Sequence, residues 1–121
     1  MNTSIIPRKP KLYFDTVANA HTMSFDDGSI HRRNYPWLQY AETRWERSDE
    51  STLLIKIGEV VVKLRGHNLG PLYAAIADHS FCQVKAMPAF ENDPDKMMDT
   101  YVIEIEFLVQ PSALKVKRAS R

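Results

Sequence analysis

The most regular pattern of apolar and polar positions lies at residues 53–65, where LLIKIGEVVVKLR sets an alternating run on either side of Gly58 and Glu59. A period of two marks a half-buried strand, and a two-residue connection led by glycine suits a type II′ hairpin turn. Closing on that turn pairs Ile57 with Val60, Ile55 with Val62 and Leu53 with Leu64, so every partner falls on one apolar face. Lys56, Lys63 and Arg65 then share the opposite face.

TYVIEIEFLV, residues 100–109, alternates as strictly and predicts the last strand. Tyr101, Ile103, Ile105, Phe107 and Val109 fall on one side, with Glu104 and Glu106 on the other. HTMSF and SIHRR flank the turn signal DDG and predict a hairpin that points Met23, Phe25 and Ile30 inward. SFCQVKAM predicts a strand with Cys82, Val84 and Ala86 inward, followed by a polar loop, AFENDPDKMMDT. In the segment 34–51, Trp37, Ala41 and Trp45 suit one face of a strand and also one face of a helix. Aromatic and threonine content favours a strand over 38–46, with a short helix after Pro36 as the alternative.

RGHNLGPLYAAI, residues 65–76, predicts the start of one principal helix near 69–79. Asn68 is a preferred N-cap residue, Pro71 is tolerated in a first turn, and Leu69, Leu72, Tyr73 and Ile76 form the stripe to be buried. The spacing of Gly66 and Gly70 matches neither nucleotide-binding glycine pattern. Arg65, His67 and Asn68 nevertheless flank a helix N-terminus, which makes them a candidate anion site.

Together these elements predict an α+β fold: a curved antiparallel sheet of about six strands, barrel-like or half-barrel, with one principal helix near 69–79. In outline the succession resembles small helix-capped β-barrels such as the pleckstrin-homology-like fold, from which two strands after the helix depart. The resemblance implies no family. Length suits a single globular domain over 12–110. An extended basic arm, 1–11, carries Arg8, Lys9 and Lys11, and a basic C-terminal tail, 111–121, carries Lys115, Lys117, Arg118 and Arg121.

Charge changes this picture little, because a formal net charge of +1 gives no long-range field of either sign to recruit nucleic acid or an acidic membrane. The single cysteine, Cys82, excludes an internal disulfide and fits a reducing compartment. The first twenty residues lack the apolar core of a signal peptide, and no run approaches the ~18 apolar residues of a membrane span. A cytoplasmic protein without membrane contact is expected.

The candidate chemistry is sparse. His21, His31, His67 and His79 include no pair at the helical spacing that sets two metal ligands on one face, so neither a metal site nor a cofactor is expected. Alternation directs Cys82 into the core, away from activation by His79. No nucleophile elbow of the G-x-S-x-G kind is present. The cluster Arg32, Arg33, Tyr35, Trp37 and Tyr40 stands out, since arginine among aromatic rings is the composition of protein-binding hot spots and of single-stranded nucleic-acid platforms, with Trp37 and Tyr35 as plain core residues the alternative.

The leading expectation is a small non-catalytic binding or adaptor module that contacts a protein partner through Arg32, Arg33, Tyr35 and Trp37. A nucleic-acid-binding protein using the basic tails and the same cluster is the alternative, and a small enzyme using Asp26, Asp27 or His67 is third. Homo-oligomerisation through 100–109 is open if that strand lies at a sheet edge.

Overall fold

A computed structural model describes residues 8–109. Residues 1–7 of the expected arm and the expected C-terminal tail lie outside them. The chain runs β1 (Phe14–Thr16), β2 (Thr22–Asp26), β3 (Arg32–Pro36), β4 (Tyr40–Arg44), β5 (Thr52–Ile57), β6 (Val60–His67), α1 (Gly70–Ala77), β7 (Phe81–Lys85) and β8 (Tyr101–Val109). The strands form two open sheets, ordered β1-β7-β2-β3 and β4-β5-β6-β8. Every pairing is antiparallel except β2 with β7. Their inner faces and α1 enclose one apolar cluster that includes Met23, Phe25, Leu53, Ile55, Val62, Leu64, Leu72 and Ile76.

The α+β class with one principal helix stands, but among the described residues the single sheet of about six strands becomes eight strands in two sheets. The cause is where the chain changes sheet. It crosses at the 3₁₀ turn Trp37–Gln39, through α1, and again through the polar loop after β7. Alternation reports which residues face inward, but not which strands are neighbours. The sheets meet at one corner, where Ala86 bridges Val102 and the Met87 amide donates to the Val102 carbonyl at 2.7 Å.

The central hairpin has the expected register, Leu53 to Leu64, Ile55 to Val62 and Ile57 to Val60, with Gly58 at φ 59°. The first hairpin buries Met23 and Phe25, but Ile30 is 82% exposed. Its turn is longer than DDG suggests: the Asp27 amide donates to the His31 carbonyl at 3.0 Å, which leaves Ile30 at the tip. The ambiguous segment becomes the 3₁₀ turn followed by β4, so the strand begins at Tyr40 rather than Leu38.

Two strands lose their strict alternation at irregular pairings. In β7 the register against β1 shifts between Asp15 and Thr16, so Phe81 and Val84 are buried and Cys82 is only half-buried, contrary to expectation. In β8 a shift opposite Arg65 and Gly66 buries Val102, while Ile105 and Phe107 keep the inward phase. An extra residue in one strand reverses the side on which all later residues fall.

The helix begins one position later than expected. Leu69, not Asn68, is the N-cap residue, and no side chain caps the first turn. Asn68 instead takes a left-handed conformation, φ 55°, which asparagine tolerates better than most residues. Pro71 does sit in the first turn. Leu72, Ala75 and Ile76 face the core, and Tyr73 lies outward beside Trp45. His79, at φ 62°, ends the helix, with the Ser80 amide donating to the Ala75 carbonyl at 3.0 Å.

Candidate functional site

Gly66 has a steric purpose in the RGHNLG segment. A Cβ placed there would lie 2.1 Å from the Tyr101 carbonyl oxygen and 2.8 Å from the Val102 Cα, so only glycine admits the backbone of β8 at this distance. Its neighbours are engaged within the chain. Arg65 donates from Nε to Glu104 at 2.9 Å and from Nη1 to Glu91 at 3.4 Å, and these carboxylates hold its pKa above the ordinary value. His67 Nε2 lies 2.7 Å from the Met97 carbonyl, and Asn68 Nδ2 donates to the Met98 carbonyl at 3.2 Å. The candidate anion residues are therefore adjacent, but their polar atoms secure the 91–98 loop and a cross-strand ion pair.

Beside them the outer face of β6 and β8 and the polar loop enclose a cleft of about 460 Å³, lined in part by His67, Glu91, Asp93 and Tyr101. The Tyr101 ring stacks on His67 with centroids 5.3 Å apart and meets Phe90 edge-on at 5.5 Å. Tyr101 is 6% exposed, and among the described residues its hydroxyl has no hydrogen-bond partner. Burial foremost, then Asp93 and Glu91, push its pKa up. Sequence reasoning missed this cleft because the bulge that turns Tyr101 away from the core has no signature in the alternation.

The Arg32–Trp37 cluster divides. Trp37 is a core residue: its Nε1 donates to the Phe81 carbonyl at 3.0 Å and its ring stacks on His79 at 4.3 Å. Trp37, expected at a partner-binding surface, is thus 8% exposed with its indole hydrogen-bonded within the core. Tyr35 is half-buried against Phe25 and Phe107, and the Arg33 guanidinium lies 4.4 Å above the Phe107 ring. Arg32 is exposed on the opposite face of β3, at a depression of about 430 Å³ shared with Asp26, Asn34 and Gln83.

β3 is the terminal strand of its sheet. Hydrogen bonds from the Trp37 amide to the His21 carbonyl, 2.9 Å, and from the Asp27 amide to the His31 carbonyl bracket the hairpin. Antiparallel ladders alternate, so with the unbroken register Arg33 and Tyr35 turn their backbone groups toward β2. Arg32 and Asn34 turn theirs outward. Pro36 shares that outward phase, where its missing N–H costs no ladder bond.

The remaining candidates are dispersed. Asp26 and Asp27 accept turn amides, the latter from Ser29 and His31, which holds the Asp27 pKa below the ordinary carboxyl value. Neither lines the two cavities that His67 lines. Cys82 has its thiol pKa pushed up by burial and by Asp15, while His79 is stacked on Trp37. Among the described residues no group of three or more His, Cys, Asp or Glu is placed to hold a metal ion, and no helix is long and apolar enough to cross a membrane. Compared with known proteins, the chain matches no family model, no curated protein and no solved structure.

Proposed function

We propose that the protein is a small non-catalytic binding module that receives an extended segment of a partner protein along β3. The observation that carries this reading is the outward-facing backbone of Arg32 and Asn34 on the terminal strand of an open sheet. An incoming strand would gain main-chain hydrogen bonds there, and side chains on either side would supply selectivity. Arg33 over Phe107 and half-buried Tyr35 offer one face, and Arg32 beside Asp26 offers the other. Leu38, 98% exposed just beyond the strand, extends the surface with an apolar contact. Trp37 contributes by rigidifying the strand end from beneath rather than by touching the partner.

The nucleic-acid alternative has less support, since the indole of its stacking platform is buried. The test is Asn34→Pro. This change deletes one outward N–H and fills its place with a ring, removing the Ser24–Asn34 side-chain hydrogen bond but none of the β2–β3 backbone ladder. A stoichiometric protein partner recovered from native extract by tagged wild-type chain, and lost with Asn34→Pro, is the expected result. A partner retained equally by Asn34→Pro and Arg33→Ala would overturn the edge as its docking site. Nucleic acid in the complex, released by modest salt, would favour the alternative.

A further inference from the structure

We infer that the cleft between β6, β8 and the 91–97 loop is a binding site for an ammonium group, with the Tyr101 hydroxyl and the carboxylates of Glu91 and Asp93 as its acceptors. This site is separate from the β3 edge and does not depend on it. Two independent observations carry it. The first is Tyr101, a residue only 6% exposed that lines the cleft and whose hydroxyl is unpartnered among the described residues. A buried phenol normally finds a hydrogen-bond partner, and one supplied from outside the chain would satisfy it.

The second is the character of the walls. Glu91 and Asp93 bring two carboxylates to the cleft, and Arg65, the cation among its lining residues, is already shared between Glu91 and Glu104. The loop itself displays the recognition chemistry. Lys96 holds its own ammonium 4.8 Å above the Phe90 ring and 3.9 Å from Asp93, and Phe90 in turn packs edge-on against Tyr101. A cation placed among aromatic faces and carboxylates is stabilised by both. An anion would meet the carboxylates unfavourably. A compact ammonium with three donors suits acceptors carried by three different residues, whereas a planar guanidinium favours a paired carboxylate fork.

The ammonium has two possible carriers, a small free amine or a lysine side chain of another protein, and the experiment separates them. Isotope-labelled full-length chain is titrated with n-butylamine hydrochloride, with an acetylated and amidated peptide containing one lysine, and with n-butanol and the norleucine peptide as neutral controls. The expected result is saturable shifts at Gly66, His67, Asn92 and Tyr101 with at least one amine and with neither control. Affinity should fall about tenfold in the Glu91→Gln, Asp93→Asn double variant and in Tyr101→Phe, the size of a charge-assisted hydrogen bond. Tyr101→Phe should keep the wild-type melting temperature, since no bond within the described chain is lost. Response to the peptide alone assigns the ligand to a protein side chain, and response to both amines assigns it to the ammonium as such. Equal shifts with the neutral controls, no saturation with either amine, or affinity unchanged in both variants would overturn the site.

Discussion

Arg8 and Asp99, ninety-one positions apart, form a two-pronged ion pair, with Nη1 to Oδ1 at 2.8 Å and Nη2 to Oδ2 at 2.9 Å. The Lys11 amide donates to the same carboxylate at 2.9 Å, and Asp99 is wholly enclosed. Backbone bonds continue the attachment, from the Thr100 amide to the Lys11 carbonyl and from the Tyr13 amide to the Thr100 carbonyl. One aspartate thus joins the segment before β1 to the end of the polar loop, next to the cleft.

Acid sensitivity follows from this pair. Hydrogen bonds from Arg8 and then from Lys11 lower the Asp99 pKa from 3.8 to about 2. Because the folded value is depressed, its stabilisation is complete above the ordinary carboxyl range and is lost as pH falls from about 4 toward about 2. Thermal unfolding followed across that window should show a melting temperature that falls more steeply for wild type than for Asp99→Asn. At neutral pH the variant should melt several degrees lower. Asp27 and Asp49, also held low by turn hydrogen bonds, supply an acid dependence common to both proteins. Parallel curves would show that the pair contributes nothing to folding.

Gly66 and Gly70 should respond oppositely to alanine. At Gly66 the new methyl would overlap the Tyr101 carbonyl and must displace β8, so Gly66→Ala should cost at least about 2 kcal/mol in urea unfolding. At Gly70 it would meet only the Trp45 ring edge at 3.7 Å, an ordinary contact. Gly70→Ala should change stability by under about 1 kcal/mol, with restricted unfolded-chain freedom favouring the variant. Comparable losses at both positions would contradict the close approach of β6 and β8.

Asn68 offers a direct contrast between capping and backbone conformation. Threonine is an acceptable N-cap, so a capping role predicts that Asn68→Thr is nearly neutral. A left-handed residue predicts the reverse: a β-branched side chain at φ 55° should cost about 1–2 kcal/mol, while Asn68→Gly should stay within about 1 kcal/mol of wild type. Chemical denaturation of the two variants decides between them.

Where neighbours in sequence are neighbours in space, the pattern of residues was sufficient. The β5–β6 hairpin shows this, because Gly58 fixes the turn and a one-residue slip would expose Leu53, Ile55 and Ile57 together. The same local logic located α1, β7 and β8 and the burial of Met23 and Phe25. It failed at β1, whose three residues are too few to display a period, and at Ile30, where the turn outlasted its glycine. It left Trp37 open between hot spot and core, since the composition of the two is the same until burial is known.

The amino-acid sequence alone therefore determined the inward and outward faces of β5 and of β8 beyond its bulge, the central hairpin register, the helix with its proline start, and the α+β class. Tertiary structure decided that the eight strands of the described residues divide between two sheets, that β7 lies parallel to β2, and that β3 is an edge. It also decided that a bulge brings Tyr101 beside His67 and the acidic loop. The physical reason is range: turn geometry and side-chain periodicity act over a few residues, whereas sheet order, bulges and the Arg8–Asp99 clasp arise from long-range packing that leaves no periodic trace along the chain.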